Sequence, residues 1–318
     1  RPYPLLDSRA AHRLTLRLTL PRFLPVLARH GFARVDLLWM TPGSPLLPLL
    51  EGLEHRVSVY RLSDDSPAFP DTPRSYADLE REAVRRVDLV VATAGNLVER
   101  ARSLGARRVL HLPNACDPEP FLAPGLREPP DLAGVRRPRA IYVGAIDGWF
   151  DVELLAGAAR LAPEWSFVLL GPARADLGPL RGAGNVRALG PRPYADLPAY
   201  LRAADAGLVP FRRGPLSDSI HPIKLYEYCA AGLPVVATPM RETASLGAPV
   251  RLAGDAAGLV RALRESVREG PAARQERVAF ARRHTWDRRF AALRTELRAC
   301  GLSDATPARQ GRASGGGG

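Results

Sequence analysis

Apolar residues along this chain come in short runs, and the segments between the runs carry helical spacing. Val35–Met40, His55–Leu62, Asp88–Ala92 and Arg107–Leu112 are of strand length. Arg9–His30, Tyr76–Arg86 and Gly95–Leu104 repeat apolar positions every three or four residues, as a helix with one buried face does. The series closes at Pro113. Residues Ala123–Pro138 are rich in Pro and Gly and have no period, which marks a linker. A second series follows. Its strands are Ala140–Gly144, Ser166–Leu170, Asn185–Leu189, Gly207–Phe211, Pro234–Thr238 and Val250–Leu252. Its helices are Asp151–Leu161, Tyr194–Ala203, His221–Ala231, Ala256–Glu269, Ala272–His284 and Trp286–Arg298. From about Ser303 to the terminal glycines the chain is polar and Gly-rich, and disorder is expected.

Strands alternating with helices of this length predict βαβ units and parallel sheets. The expected division is a first domain over 1–124, a linker over 125–138, a second domain over 139–285, a helix over 286–302 that returns to the first domain, and a tail over 303–318. Two such α/β domains face each other across a cleft. Ligands of doubly wound sheets bind beyond the carboxyl ends of the strands. The first half shows about four strands, fewer than a full doubly wound domain. Its first βα units are expected to be missing, either because the sequence is truncated, which the lack of an initiator Met fits, or because this half is reduced.

Composition narrows the function. The hydrophobic content of 46% and charged content of 25% are those of a soluble protein. No apolar run is long enough to cross a bilayer. The opening RPYPLLDSRAAHRL lacks the basic head and long apolar core of a signal peptide. Cys116, Cys229 and Cys300 are scattered without redox or metal spacing, which points to a reducing, cytoplasmic setting. The net charge of +12 is spread along the chain, and aromatic residues make up only 7%. Nucleic acid therefore ranks last among acidic partners. An anionic small substrate and peripheral contact with an anionic membrane surface stay open. Of the 45 basic residues, 44 are Arg and one is Lys. Lys224 then marks a place where a compact ammonium serves and a planar guanidinium does not, unless one Lys survived by chance.

Lys224 sits in RRGPLSDSIHPIKLYEYCAAGLPVVAT, residues 212–238. A polar loop with Gly214, Asp218 and Ser219 leads into a helix with Pro222 just inside its start, where the missing N–H costs nothing. A helix start offers free N–H groups and a positive dipole end, which together bind a diphosphate. Lys224 in the first turn adds a charge to the same anion. Glu227 shares roughly one face with it and can accept ribose hydroxyls. An exposed Lys–Glu helical pair would look the same in sequence.

The segment HPIKLYEYCAAGLPVVAT resembles the donor-site helix and following strand of retaining GT-B glycosyltransferases of the bacterial "group 1" family. Other pieces fall in order: Ala140–Gly148 resembles the opening strand and glycine loop of the donor domain, Phe167–Pro172 its second strand, and Pro113–Phe121 the family's P-N-G-V-D…F turn. The resemblance covers nearly the whole chain and implies a GT-B fold of two Rossmann-like domains. It implies a transferase that moves a sugar, with retention, from a nucleoside-diphosphate sugar to a lipid-linked or polysaccharide acceptor. On that reading Gly144, Arg212, Arg213, Asp218, Ser219, Ile220, His221, Lys224 and Glu227 form the donor site. Lys224, Glu227 and Asp65 are the catalytic candidates. The leaving phosphate itself takes the acceptor's proton, while Lys224, the Ser219–His221 backbone and Arg212 or Arg213 stabilise the diphosphate. No metal spacing is present, and neither a metal nor a cofactor is expected.

The chain departs from the family's pattern in two places. The family often has two glutamates separated by seven residues; the second is Glu227, but Ser219 stands at the first. The basic pair that often follows the first donor-domain strand is replaced by Gly148-Trp149-Phe150-Asp151. Trp149 and Phe150 could stack on the base, cover the cleft or pack in the core. His221 is assigned equally to a phosphate contact and to a cap or loop role. The Asp64-Asp65 pair resembles a turn that holds or activates an acceptor hydroxyl, and a solvated turn would explain it as well. A non-catalytic binding or scaffold protein of the same fold is the alternative to the transferase. An epimerase ranks lower, and a dehydrogenase lowest, because no G-x-G-x-x-G follows a strand.

Overall fold

The computed structural model describes residues 18, 24–42, 46–65, 74–247 and 249–303. The first sheet contains β1 (Arg34–Met40), β2 (Glu54–Leu62), β3 (Leu89–Ala92) and β4 (Val109–His111), parallel and in that order. The connecting helices are α1 (Leu46–Gly52), α2 (Arg74–Arg86) and α3 (Gly95–Leu104). β2 is apolar on both faces, as a strand inside a parallel sheet must be. Tyr60 and Leu62 pack with Leu79, Val84 and Leu97 of α2 and α3. Val57 and Val59 turn the other way.

The second sheet is larger. After α4 (Glu119–Leu122) come β5 (Arg139–Val143), α5 (Val152–Leu161), β6 (Ser166–Leu170), β7 (Val186–Gly190), α6 (Leu197–Arg202) and β8 (Ala206–Val209). Next are α7 (Pro215–Asp218), α8 (Ile223–Ala230), β9 (Val235–Ala237), α9 (Arg241–Ser245), β10 (Val250–Leu252), α10 (Ala256–Ser266) and α11 (Pro271–Arg283). The strand order is β10-β9-β8-β5-β6-β7, all parallel. The chain runs outward from β5 to β7, then returns to place β8 on β5's other side. Doubly wound sheets bind ligands beyond the strand ends near such a reversal. Here the segments after β5 and β8 are bridged, Asp151 N–H to Pro210 O and Arg212 N–H to Trp149 O, and a crevice lies beside them at the ends of β5 and β6.

Tyr228 fixes that junction from below. Its buried hydroxyl accepts the Val143 N–H at 2.8 Å. Tyr228→Phe leaves this N–H without its partner and should cost about 1–3 kcal/mol, read as a lower denaturant midpoint at unchanged slope.

The chain passes between the two sheets twice, at one place. Cys116 N–H donates to His284 O, and Trp286 N–H donates to Cys116 O, both at 3.3 Å. Beyond this bridge α12 (Trp286–Ala299) crosses to the first sheet, where Leu293 and Leu297 pack on Val57, Val59, Leu89 and Val91.

Most expected elements are present, with ends shifted by a few residues. Of Arg9–His30, residues 24–29 are helical and positions 9–17 and 19–23 lie outside the described residues, as does the tail from 304. Four short helices, α1, α4, α7 and α9, lie outside the expected series. Tyr194–Ala203 is two pieces, a 3-10 turn at Tyr194–Asp196 and then α6, because Pro198 has no N–H to continue one ladder. The stretch read as a linker packs on the second core through buried Leu132.

Candidate functional site

Lys224 arrives at Gly144, just past the end of β5 and on the edge of this crevice. Its helix begins at Ile223, with Pro222 in extended backbone as the N-cap, one residue outside the position the sequence suggests. The ammonium lies 5.2 Å from the Tyr142 ring centroid and 4.9 Å from that of Phe211. These rings end β5 and follow β8. A Cβ added at Gly144 would stand 3.0 Å from Lys224 Cε and 3.2 Å from Nζ, so the side chain rests on bare backbone. Among the described residues Lys224 has no ion pair within 4.0 Å. Burial pulls its pKa down to about 8, against the attraction of Glu227. A cation held beside two aromatic rings, with no carboxylate within 4.0 Å among the described residues, can pair with an external anion.

Glu227 is buried, and its Oε1 accepts the Tyr194 hydroxyl at 2.9 Å. Burial raises its pKa, and the Tyr194 bond and Lys224 oppose the rise. Tyr194 is 55% exposed, so water or a ligand hydroxyl can replace its phenol on the carboxylate. Next to this pair lies a cavity of about 210 Å³, with Leu170, Pro172, Pro191 and Leu197 in its walls and Tyr194 and Gly144 at its edge. Gly144 and Gly171 have φ of +139° and +144°. A Cβ on Gly171 would fall 2.0 Å from the Gly144 carbonyl oxygen, so this edge of the cavity exists only because two strand ends touch backbone to backbone.

The loop before α8 departs from expectation in several details. Residues 215–218 form one helical turn rather than a loop. The N–H groups of Ser219 and Ile220 are taken by Leu216 and Ser217 carbonyls, so they do not form an anion nest. The Leu225 N–H is taken by Pro222 O, so the first-turn donors left at this corner are those of Ile223 and Lys224. Asp218 accepts the Arg241 N–H at 3.1 Å and so starts α9. Ile220 is half-buried against the second core. Arg212 donates Nε to Phe150 O at 3.3 Å, and Arg213 is exposed, with Nη1 near Gly254. Both guanidinium groups lie without a carboxylate partner among the described ion pairs.

His221 does not cap α8 with its side chain. Its imidazole is buried and stacks on Tyr226, with Nε2 3.2 Å from the Tyr226 hydroxyl. Burial, then His111, Arg289 and His284, push its pKa down to about 3. Ser219, where a first glutamate is expected, accepts Asn96 Nδ2 of the first domain at 2.7 Å. Asp65 lies in an ion pair with Arg100 at 3.2 Å, and Arg100 also bonds buried Glu80 at 2.6 Å. No hydrogen bond or ion pair joins Asp65 to Lys224 or Glu227 among the described residues. Phe150 packs in the core, edge-on to Tyr142, and Trp149 is partly buried against the same core.

Sequence reasoning missed Tyr142, Phe211 and Tyr194. The first two read as ordinary strand aromatics and the third as the start of a helix. Only the assembled sheet shows that they surround one ammonium and one carboxylate.

Residues 137–269 match the model of the family described as glycosyl transferases group 1. The Bacillus subtilis (strain 168) protein TuaH, named for glycosyltransfer in teichuronic acid biosynthesis, is 28% identical over 233 residues, which is 67% of this chain. The chain spans 57% of that relative's length. Sucrose-phosphate synthase from Thermosynechococcus elongatus superposes with a TM-score of 0.68 at 17% identity, covering 92% of this chain and 80% of that one. Anabaena HepE in complex with UDP-glucose gives 0.68 at 16% identity, covering 92% and 90%. These likenesses show a shared fold of two Rossmann-like domains. Over residues 137–269, the part that carries Lys224 and Glu227, the protein is similar to the group 1 glycosyl transferases.

Proposed function

We propose that this protein is a glycosyltransferase that moves a sugar, with retention, from a nucleoside-diphosphate sugar to a lipid-linked or polysaccharide acceptor. One observation supports the reading: the cavity, Glu227 and Lys224 share one patch, since Tyr194 lines the cavity and donates to Glu227 while Gly144 lines it and touches the Lys224 side chain. The base fits the apolar cavity. Glu227 takes two ribose hydroxyls when Tyr194 swings off. Lys224 and the first turn of α8 take the diphosphate, with Arg212 or Arg213 closing over it. The family match and the HepE complex with UDP-glucose support a donor of this kind.

Chemically, the acceptor oxygen forms a bond to the anomeric carbon while the carbon–phosphate oxygen bond breaks. The acceptor's proton passes to an oxygen of the leaving diphosphate. The protein's part is to fix the geometry and to stabilise the charge that grows on that diphosphate. Asp65, on the first domain's side, is our candidate for orienting the acceptor. A polyprenyl-linked acceptor would bring the chain to an anionic membrane face, in keeping with its charge of +12. No helix among the described residues is long and apolar enough to cross a membrane.

The test is a melting screen with UDP, GDP, ADP and TDP. One of them should raise the melting temperature, and no response to any would overturn the reading. The pH dependence gives a second check. The Lys224 ammonium is charged below about pH 8 and lost above it. Affinity for the diphosphate should therefore fall about tenfold between pH 7 and pH 9. Lys224→Met should bind weakly with a flat profile over the same range.

A further inference from the structure

Helix α3 of the first domain has no cap of its own. Ala94 stands at its N-cap position and supplies no side-chain acceptor. The carboxylate that meets this helix end comes from the second domain. Glu242, 4% exposed, accepts the Gly95 N–H through Oε1 at 2.8 Å. Its other oxygen lies 3.9 Å from His221 Nε2. A carboxylate at a helix start satisfies an orphan donor and meets the positive dipole end.

The neighbouring contacts run along the same seam. Asn96 Nδ2 donates to Ser219 Oγ at 2.7 Å, and Asn114 Nδ2 donates to His221 O at 2.8 Å. At the rim Arg241 pairs with Glu99. Each of these joins the first domain to residues 219–221 or to the start of α9, and Asp218 ties α7 to α9 through the Arg241 N–H. The loop leading into α8 is therefore gripped from across the cleft.

We propose that Glu242 is a positioning residue that caps α3 from the opposite domain and so holds the two lobes closed over the crevice. The donor lies on the second domain alone, whereas transfer needs both lobes in register. Removing this cap should therefore separate donor binding from turnover. The kinetic arm of the test rests on the transferase reading; the scattering and exchange arms do not.

The experiment compares the full chain with Glu242→Ala and Glu242→Gln. With Ala, small-angle scattering should give a larger radius of gyration, and the Gly95 and Asn96 amides should exchange at least about tenfold faster. Transfer kcat should fall at least about tenfold, while the Kd for UDP stays within about threefold. Gln keeps a carbonyl acceptor for Gly95 and can donate to His221, so it should restore all three. If Glu242→Ala does not fold, Arg241→Glu sets like charges against Glu99 at the exposed rim and should open the lobes in the same way; Glu99→Arg in that background should close them. Wild-type scattering and exchange in Glu242→Ala would overturn the proposal, as would an equal loss of UDP affinity and kcat. If UDP fails to stabilise the wild type, the transferase reading falls while the scattering result still decides the role of Glu242.

Discussion

Lys224→Ala is expected to remove most of the stabilisation that the matching nucleoside diphosphate confers. At about 100 times its Kd the ligand should stabilise the wild type by about 2.7 kcal/mol. If the substitution weakens binding about 100-fold, the same concentration gives only about 0.4 kcal/mol. Transfer should slow by about 100- to 1000-fold, as when one preorganised charge facing a leaving group is lost. The free protein should behave differently. Burial holds the Lys224 pKa near 8, below the usual value of 10.5, so the folded state tolerates the ammonium less well than the unfolded chain does. Between those values stability from this group rises with pH, and below about pH 8 its cost is fully present. Lys224→Met should therefore leave the unliganded protein at least as stable at pH 7, in a denaturant titration. A ligand-induced shift that survives in Lys224→Ala would remove Lys224 from the site. Lys224→Arg should not rescue, because the Tyr142 and Phe211 rings and Gly144 leave no room for a planar fork.

Gly171→Ala is expected to be the most destabilising single methyl in the second domain. Its Cβ would sit 2.0 Å from the Gly144 carbonyl oxygen, and its φ of +144° is one that L side chains rarely adopt. No flexible side chain is available to yield; one of two strand ends must move. A loss of about 3–5 kcal/mol follows, within the range of severe backbone and overpacking defects. A marginal domain of this size would show it as insoluble expression or a melting temperature lowered by roughly 10–20 °C. Wild-type stability in this variant would mean that the two strand ends are not in contact. A folded variant should also bind the diphosphate poorly, because Lys224 rests on the glycine that would be displaced.

Much of this architecture was legible in the chain. Apolar runs such as Phe167–Leu170 and helices such as Gly95–Leu104 signal themselves because burial in a parallel sheet leaves both faces of a strand apolar. The lone Lys in an Arg-rich chain drew attention to Lys224, which the structure holds beside the Tyr142 and Phe211 rings. What could not be read was mutual orientation. Lys224 and Glu227 look like a helical pair, yet one turns to two rings and the other to Tyr194. His221 read equally as a phosphate contact or as a cap or loop residue, but stacking on Tyr226 draws its ring inside. Glu242 had no local signal, since its partner is a backbone N–H 147 residues away. Such contacts depend on how one domain lies against another, which spacing along the chain does not encode.

The doubled crossing at Cys116 and Thr285 has a mechanical consequence. Two chain segments joined by one bridge resist sliding past each other but still bend, so they make a spine with one easy axis. Lobe motion in this protein should be a book-like swing about that axis. Distances between spectroscopic labels on the far rims should then change greatly, while a pair flanking the spine stays fixed.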